Sequence, residues 1–193
     1  MHHIYHTEGI ILSSKNFGEA GRHYSIFTRD LGMIYASAQG VRKMSSKLRY
    51  VLQDYSYLKI DFVRGKDFWR LTSASKINKL EEITKNREAF AIMQRVSKLL
   101  KRLLAGEDVN EVLFKDLVNG LSILETSKTK EELRNIEAIL VLRILGNLGY
   151  IGESEVLDNL IKSPFEEGLV FEVAKSRPEI LNQINKALKE THL

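Results

Sequence analysis

The sequence contains no cysteine. That excludes disulfides and thiolate metal sites, and it accords with a reducing compartment such as the cytoplasm. No apolar run approaches the length needed to cross a bilayer, and Met1-His2-His3 leads directly into a strand-like segment. The expectation is therefore a cytoplasmic protein with no targeting peptide and no membrane partner. Catalytic signatures are also lacking. There is no Gly-x-x-x-x-Gly-Lys, no Gly-x-Gly-x-x-Gly after a strand, and no cysteine nucleophile. Three of the histidines, His2, His3 and His6, crowd the first residues, while His23 lies on a strand and His192 in the tail. Adjacent acids such as Glu81-Glu82 and Glu131-Glu132 point to different sides of a helix, so they make poor acid–base pairs and are explained by helix-end charge. Nothing here asks for an enzymatic reaction, a cofactor or a bound metal.

Acid is missing from one long stretch. Between Asp30 and Asp54 there is none, and all the charge is carried by Arg42, Lys43, Lys47 and Arg49. Gly40, Ser45 and Ser46 in the same stretch argue against a regular element, so the four cations fall on a loop between strands. Such a loop is either an ordinary solvated turn or a surface for a polyanion, since phosphates ask only for positive charge within reach. The distribution of charge favours the second. Residues 1–80 carry 13 Lys/Arg against 6 Asp/Glu, whereas the rest of the 193-residue chain carries 16 against 19. A basic half facing a polyanion and a mildly acidic half facing protein follow from that asymmetry.

The basic half alternates as β structure. Strands are expected over Thr7–Ser13, Arg22–Thr28, Met33–Ala38, Tyr55–Val63 and Phe68–Ser75, with Asp30-Leu31-Gly32 and Gly65-Lys66-Asp67 as turns. Leu58, Ile60 and Phe62 take one face of the fourth strand, and Tyr57, Lys59 and Asp61 the other. Five short strands with one longer basic loop suit a small Greek-key barrel of the OB type, and strand count alone also permits an SH3-like barrel. An OB barrel holds nucleic acid through cations and stacked aromatic faces. The candidate phosphate-binding residues are Arg42, Lys43, Lys47 and Arg49, with Arg22, Arg29 and Arg70. Tyr50 beside Arg49, Tyr57 on the polar face of its strand and Trp69 beside Arg70 are the stacking candidates, and the phenylalanines are assigned to packing.

Residues 81–193 are expected to form an α-helical bundle. Ala89, Met93, Val96, Leu100 and Leu103 make one apolar stripe over 84–104. Asp108-Val109-Asn110-Glu111 and Thr129-Lys130-Glu131-Glu132 are capping-box signals for a second and a third helix, and Gly149 ends the third. Ser163-Pro164-Phe165-Glu166 starts only a short turn, because Gly168 follows, and Ser176-Arg177-Pro178-Glu179 opens a final helix.

Several blocks in order resemble the recombination mediator family RecO. They are Glu8-Gly9-Ile10-Ile11-Leu12-Ser13, Phe17-Gly18-Glu19-Ala20-Gly21-Arg22, Phe27-Thr28-Arg29-Asp30-Leu31-Gly32, Ala38 to Leu48, and Leu52-Gln53-Asp54-Tyr55-Ser56. Leu145-Gly146-Asn147-Leu148-Gly149-Tyr150 and Ser163 to Val170 resemble parts of that family's helical domain more loosely. The resemblance implies an α+β protein, with an N-terminal five-stranded OB barrel over 1–80 followed by a helical domain over 81–193. It also implies binding of single- and double-stranded DNA, annealing of complementary strands, and help in placing recombinase on DNA coated by single-strand-binding protein, together with a RecR-like partner. Many members hold zinc with four cysteines in the helical domain. Those are absent here, so the segment between Gly149 and Ala174 either packs without metal or is remodelled. From charge alone, an OB-fold RNA- or ribosome-associated binder is the alternative, and a nuclease is disfavoured by the missing carboxylate and histidine constellation.

Overall fold

The computed structural model describes residues 3–66, 68–77, 80–127, 129–152 and 154–190. His2, Asp67, Lys79 and His192 therefore lie outside the described residues. The chain divides into two compact units, one of Met1–Glu81 with Leu104–Glu111, the other of Glu82–Leu103 with Val112–Leu193.

The first unit is a closed barrel of β1 (Ile4–Phe17), β2 (Gly21–Thr28), β3 (Gly32–Ala38), β4 (Tyr57–Arg64) and β5 (Trp69–Lys76) in the order β1-β2-β3-β5-β4. Closure depends on β1. It pairs with β4 over Ile4–Ile10 and with β2 over Gly9–Phe17. This explains why it runs beyond the apolar Thr7–Ser13 block. Its polar ends, including Lys15 and Asn16, stay extended because partner strands take their backbone hydrogen bonds. Irregularities between Ile11 and Ser13 on β1 and between Asp61 and Phe62 on β4 add the local bend and twist that a small barrel needs. β3 and β5 complete the cylinder through a short parallel pairing, Ala36 with Trp69 and Ser37 with Arg70. The inward residues, including Ile11, Tyr24, Ile26, Ile34, Leu58, Ile60 and Phe62, form one buried cluster.

A strap from later in the chain belongs to this unit, which a division at residue 80 does not anticipate. Met33 N–H donates to Gly106 O at 3.0 Å, Trp69 Nε1–H donates to Glu107 Oε1 at 2.8 Å, and Arg29 reaches Glu111 at 3.1 Å. Gly32 is what allows the approach. Its φ is +69°, and a Cβ there would stand 2.5 Å from Asp108 O.

The second unit is helical, with α1 (Arg87–Leu103), α2 (residues 111–126, the first of them shared with the strap), α3 (Lys130–Asn147), α4 (Glu155–Lys162) and α5 (Glu167–Glu190). Thr129 and Glu132 form the expected capping box at the start of α3. The end of the chain departs from expectation twice. α4 is an additional helix, and α5 runs without interruption through both Gly168 and Pro178. Proline in a helix removes one backbone bond and costs about 3 kcal/mol. The stripe Leu169, Val170, Val173, Ile180, Ile184 and Ala187 is buried on both sides of it, and that burial outweighs the break. No helix among the described residues is long and apolar enough to cross a membrane.

Candidate nucleic-acid interface

The basic segment is ordered by its own backbone rather than extended as a free loop. Gly40 O accepts from Lys43 N–H at 3.1 Å, Lys43 O from Ser46 N–H at 3.1 Å, and Ser46 O from Arg49 N–H at 3.2 Å. Lys47–Arg49 is a short 3-10 turn, where the Gly and Ser content had argued against any regular element. The tight spacing of a 3-10 turn suits one short piece between anchors. Those anchors are Val41 and Leu52, both buried, with Leu48 packed partly against the barrel core. Between them the segment presents Arg42, Lys43, Lys47 and Arg49 to solvent at fixed positions.

Arg42 N–H donates to Ala20 O at 2.9 Å, which ties the basic segment to the β1–β2 turn. Arg22 leaves β2 beside that turn and donates to Asn16 Oδ1 at 3.1 Å. The result is an open hollow of about 580 Å³ lined by Arg22, Val41, Arg42, Arg49, Tyr50 and Gln53. Tyr50 is 67% exposed, and the Arg49 guanidinium lies 5.9 Å from its ring centroid. A second hollow of about 490 Å³ places Lys43 with Gln39, Gly40 and the β1–β2 turn residues Phe17 to Gly21. Lys47 is exposed and lines neither of these two hollows.

Three sequence-stretch candidates fall elsewhere. Arg29 sits at the far end of β2 from Arg22, about 23 Å away at the rise of an extended strand. Its charge is met by Glu111, which raises its pKa through a hydrogen bond and through opposite charge. Tyr57 is buried in the barrel wall and its hydroxyl donates to Glu8 Oε2 at 2.5 Å. Trp69 is 5% exposed, edge-on to Tyr5 and Phe62, with its N–H committed to Glu107. Neither Tyr57 nor Trp69 has a ring face open to a base, which corrects the reading of both as stacking residues. Position next to a cation in sequence does not settle which side of a strand a ring takes.

Besides Tyr50, open aromatic rings are found on residues assigned to packing. Phe17, at the end of β1, is 56% exposed, and Phe68, in the β4–β5 turn, is 55% exposed. His23 on β2 lies between them, 4.2 Å from the Phe17 ring centroid and 5.6 Å from that of Phe68. In strand register, His23 pairs with Lys15 on one side and Ser37 on the other, and Ser37 pairs with Arg70. Lys15, His23, Ser37 and Arg70 thus form one outward row across four strands, with a cation at each end. The available signal in the sequence was position: Phe17 and Phe68 border turns and stand outside the alternating apolar sets.

A closed five-stranded barrel in this strand order is an OB-fold. Residues 1–80 match the family model described as Recombination protein O N terminal. Over 140 residues the chain is 30% identical to the DNA repair protein RecO of Caldicellulosiruptor saccharolyticus, covering 72% of this chain and 57% of that one. The corresponding protein of Heliobacterium modesticaldum is 28% identical over 150 residues, covering 78% and 53%. That of Caldanaerobacter subterraneus is 22% identical over 184 residues, covering 95% and 72%. The barrel, residues 1–80, belongs to the RecO N-terminal domain family, and the likeness to the RecO proteins continues into the helical half. It spans about half the length of the first of these curated relatives.

Proposed function

We propose that this chain is a DNA-repair recombination mediator. It binds single- and double-stranded DNA through the barrel, promotes annealing of complementary strands, and assists recombinase loading together with a RecR-like partner and single-strand-binding protein. The observation that carries this reading is the hollow at which Arg22, Arg42, Arg49 and Tyr50 converge on an OB barrel. The related DNA repair proteins support the biological setting.

Annealing sets a definite physical requirement. Two polyanions repel, so a protein must neutralise both strands while leaving their Watson–Crick edges free. Arginine and lysine on a pinned turn contact phosphate and carry no base information, so they lower the repulsion without occupying the pairing edges. No nucleotide hydrolysis or metal chemistry enters this scheme.

The test is annealing of two complementary fluorescent oligonucleotides by the full chain, without metal or nucleotide. Acceleration at substoichiometric coating of the strands is expected. A strong preference for RNA would favour an RNA-binding role through 2′-hydroxyl contacts. Metal-dependent loss of the substrate would point to a nuclease.

A further inference from the structure

The cluster of exposed Phe17 and Phe68 about half-buried His23 plays no part in neutralising phosphate, and burial does not explain it. Both phenylalanines are more than half exposed, and the turn that carries Phe68 is built to hold it out. Gly65 N–H donates to Phe68 O at 3.1 Å, and a Cβ on Gly65 would stand 2.4 Å from that oxygen. The turn therefore closes only around glycine, and Phe68 follows from it at a fixed place next to His23.

We infer that Phe17, His23 and Phe68 are a stacking platform for the unpaired bases of a single nucleic-acid strand, which crosses β1, β2, β3 and β5 along the row Lys15–His23–Ser37–Arg70. This rests on the nucleic-acid reading of the barrel and specifies which ligand the face takes. Three features carry it. The rings are contiguous, with Phe17 edge-on to His23 at 4.2 Å and Phe68 tilted to it at 5.6 Å, so they form a cluster of separate stacking positions rather than one flat face. The row ends in Lys15 and Arg70, and Phe17 shares a hollow with Lys43, so phosphates on either side of a stacked base meet a cation. Four adjacent strands at sheet spacing separate the two end cations by about 14 Å, a span for a short run of nucleotides rather than a broad protein footprint. A duplex cannot use the platform, because its base faces are already stacked on one another.

The strand enters from the basic segment. Arg42 is joined to the β1–β2 turn through Ala20, and Phe17 begins that turn, so the phosphate hollow and the first ring are neighbours. The barrel thus has two kinds of contact. One reads charge and is indifferent to strandedness, and the other reads the presence of free bases.

The experiment is equilibrium binding of the full chain to three ligands of equal length: a mixed-sequence single strand, an abasic single strand and a duplex. The unaltered chain should prefer the base-bearing single strand to the abasic one. Phe17→Ala with Phe68→Ala should weaken the base-bearing strand by about tenfold per ring, and leave the abasic strand and the duplex within about twofold. Retained affinity for those two ligands also certifies that the variant is folded. As a second measurement, Phe17→Trp should keep the preference, and its indole emission should be quenched by the base-bearing strand and not by the abasic one. If the unaltered chain binds all three ligands equally, or the double alanine variant keeps the preference, the platform is refuted while phosphate binding stands. The same holds if the double variant loses only the binding of a protein partner. If the unaltered chain binds none of the three, the nucleic-acid reading fails and the platform with it.

Discussion

Arg143 donates to Asp116 Oδ1 at 2.6 Å with its guanidinium 4.9 Å from the ring centroid of Phe165, and it is 2% exposed. Its remaining donors go to Leu160 O at 3.1 and 2.9 Å and to Ser163 O. One side chain on α3 therefore fixes the end of α4 and the Ser163-Pro164-Phe165 link into α5. Burial pushes the Asp116 carboxyl above its ordinary value, against the lowering effect of Arg143, so desolvation outweighs attraction within this pair.

Arg143→Met should consequently destabilise the helical unit by about 3–5 kcal/mol, since it strands a buried carboxylate and two carbonyls. Adding Asp116→Leu should recover part of that loss, because the stranded charge is gone. It should not restore full stability, because Leu160 and Ser163 still lack a donor. Urea unfolding of the three proteins checks the order. Chelator should leave their helix signal unchanged, as the sequence has no cysteine to supply a thiolate site.

The strap across the barrel makes a comparison of two glycines informative. Gly18 and Gly32 both have positive φ, +55° and +69°, but an added Cβ meets nothing within 4 Å at Gly18 and Asp108 O at 2.5 Å at Gly32. Gly18→Ala should cost only the backbone term of about 1–2 kcal/mol. Gly32→Ala should cost clearly more, as the strap must also shift. Equal melting temperatures for the two variants would mean that the strap is not held there.

Tyr57 and Tyr24 couple the barrel to alkaline pH. Both hydroxyls have raised pKa values, chiefly through burial, with the Glu8 carboxylate adding to the effect at Tyr57 and Arg22 opposing it at Tyr24. The folded values lie above the unfolded value of about 10, so the native state binds more protons in that window. Stability is then fully present below about pH 10 and is lost as pH rises through the folded values. Phenolate absorbance should show Tyr24 and Tyr57 ionising later than a free tyrosine. Tyr57→Phe should make the alkaline loss of stability shallower.

Much of the barrel was legible because alternation is local. Leu58, Ile60 and Phe62 announce an inward face without reference to the rest of the chain. The extent of β1 was not, because Lys15 and Asn16 are held by partners far away in sequence. In the helical unit, Gly168 and Pro178 are correct local signals for breaks, overruled by a stripe that only α5 as a whole can bury. The short α4 left little trace beyond its buried Leu157 and Leu160. The site divides in the same way. Charge survives translation into structure, since Arg42, Lys43 and Arg49 remain solvent-facing or hollow-lining. Aromatic faces do not: Trp69 and Phe68 are neighbours in sequence, and one closes the wall while the other stands in solvent.

The role of the basic segment can be isolated by salt. Each phosphate contact on a single strand contributes a slope of about −0.7 in log affinity against log salt, so Arg42→Ala with Lys43→Ala should flatten the dependence by roughly 1.4. The loss should be the same for every base sequence, because phosphates carry no sequence information. A control must remove equal charge without disturbing a partner. Lys76 is unsuitable, being paired with Glu81 at 2.9 Å, and Lys79 is outside the described residues. Lys98 and Lys186, exposed on α1 and α5, serve instead. Arg29→Ala adds a sharper contrast, since Arg29 already answers Glu111 at the other end of β2 and should leave the slope nearly unchanged. If the Arg42 and Lys43 variant flattens the slope no more than the Lys98 and Lys186 control, the pinned turn is solvated surface and the phosphates lie elsewhere on the chain.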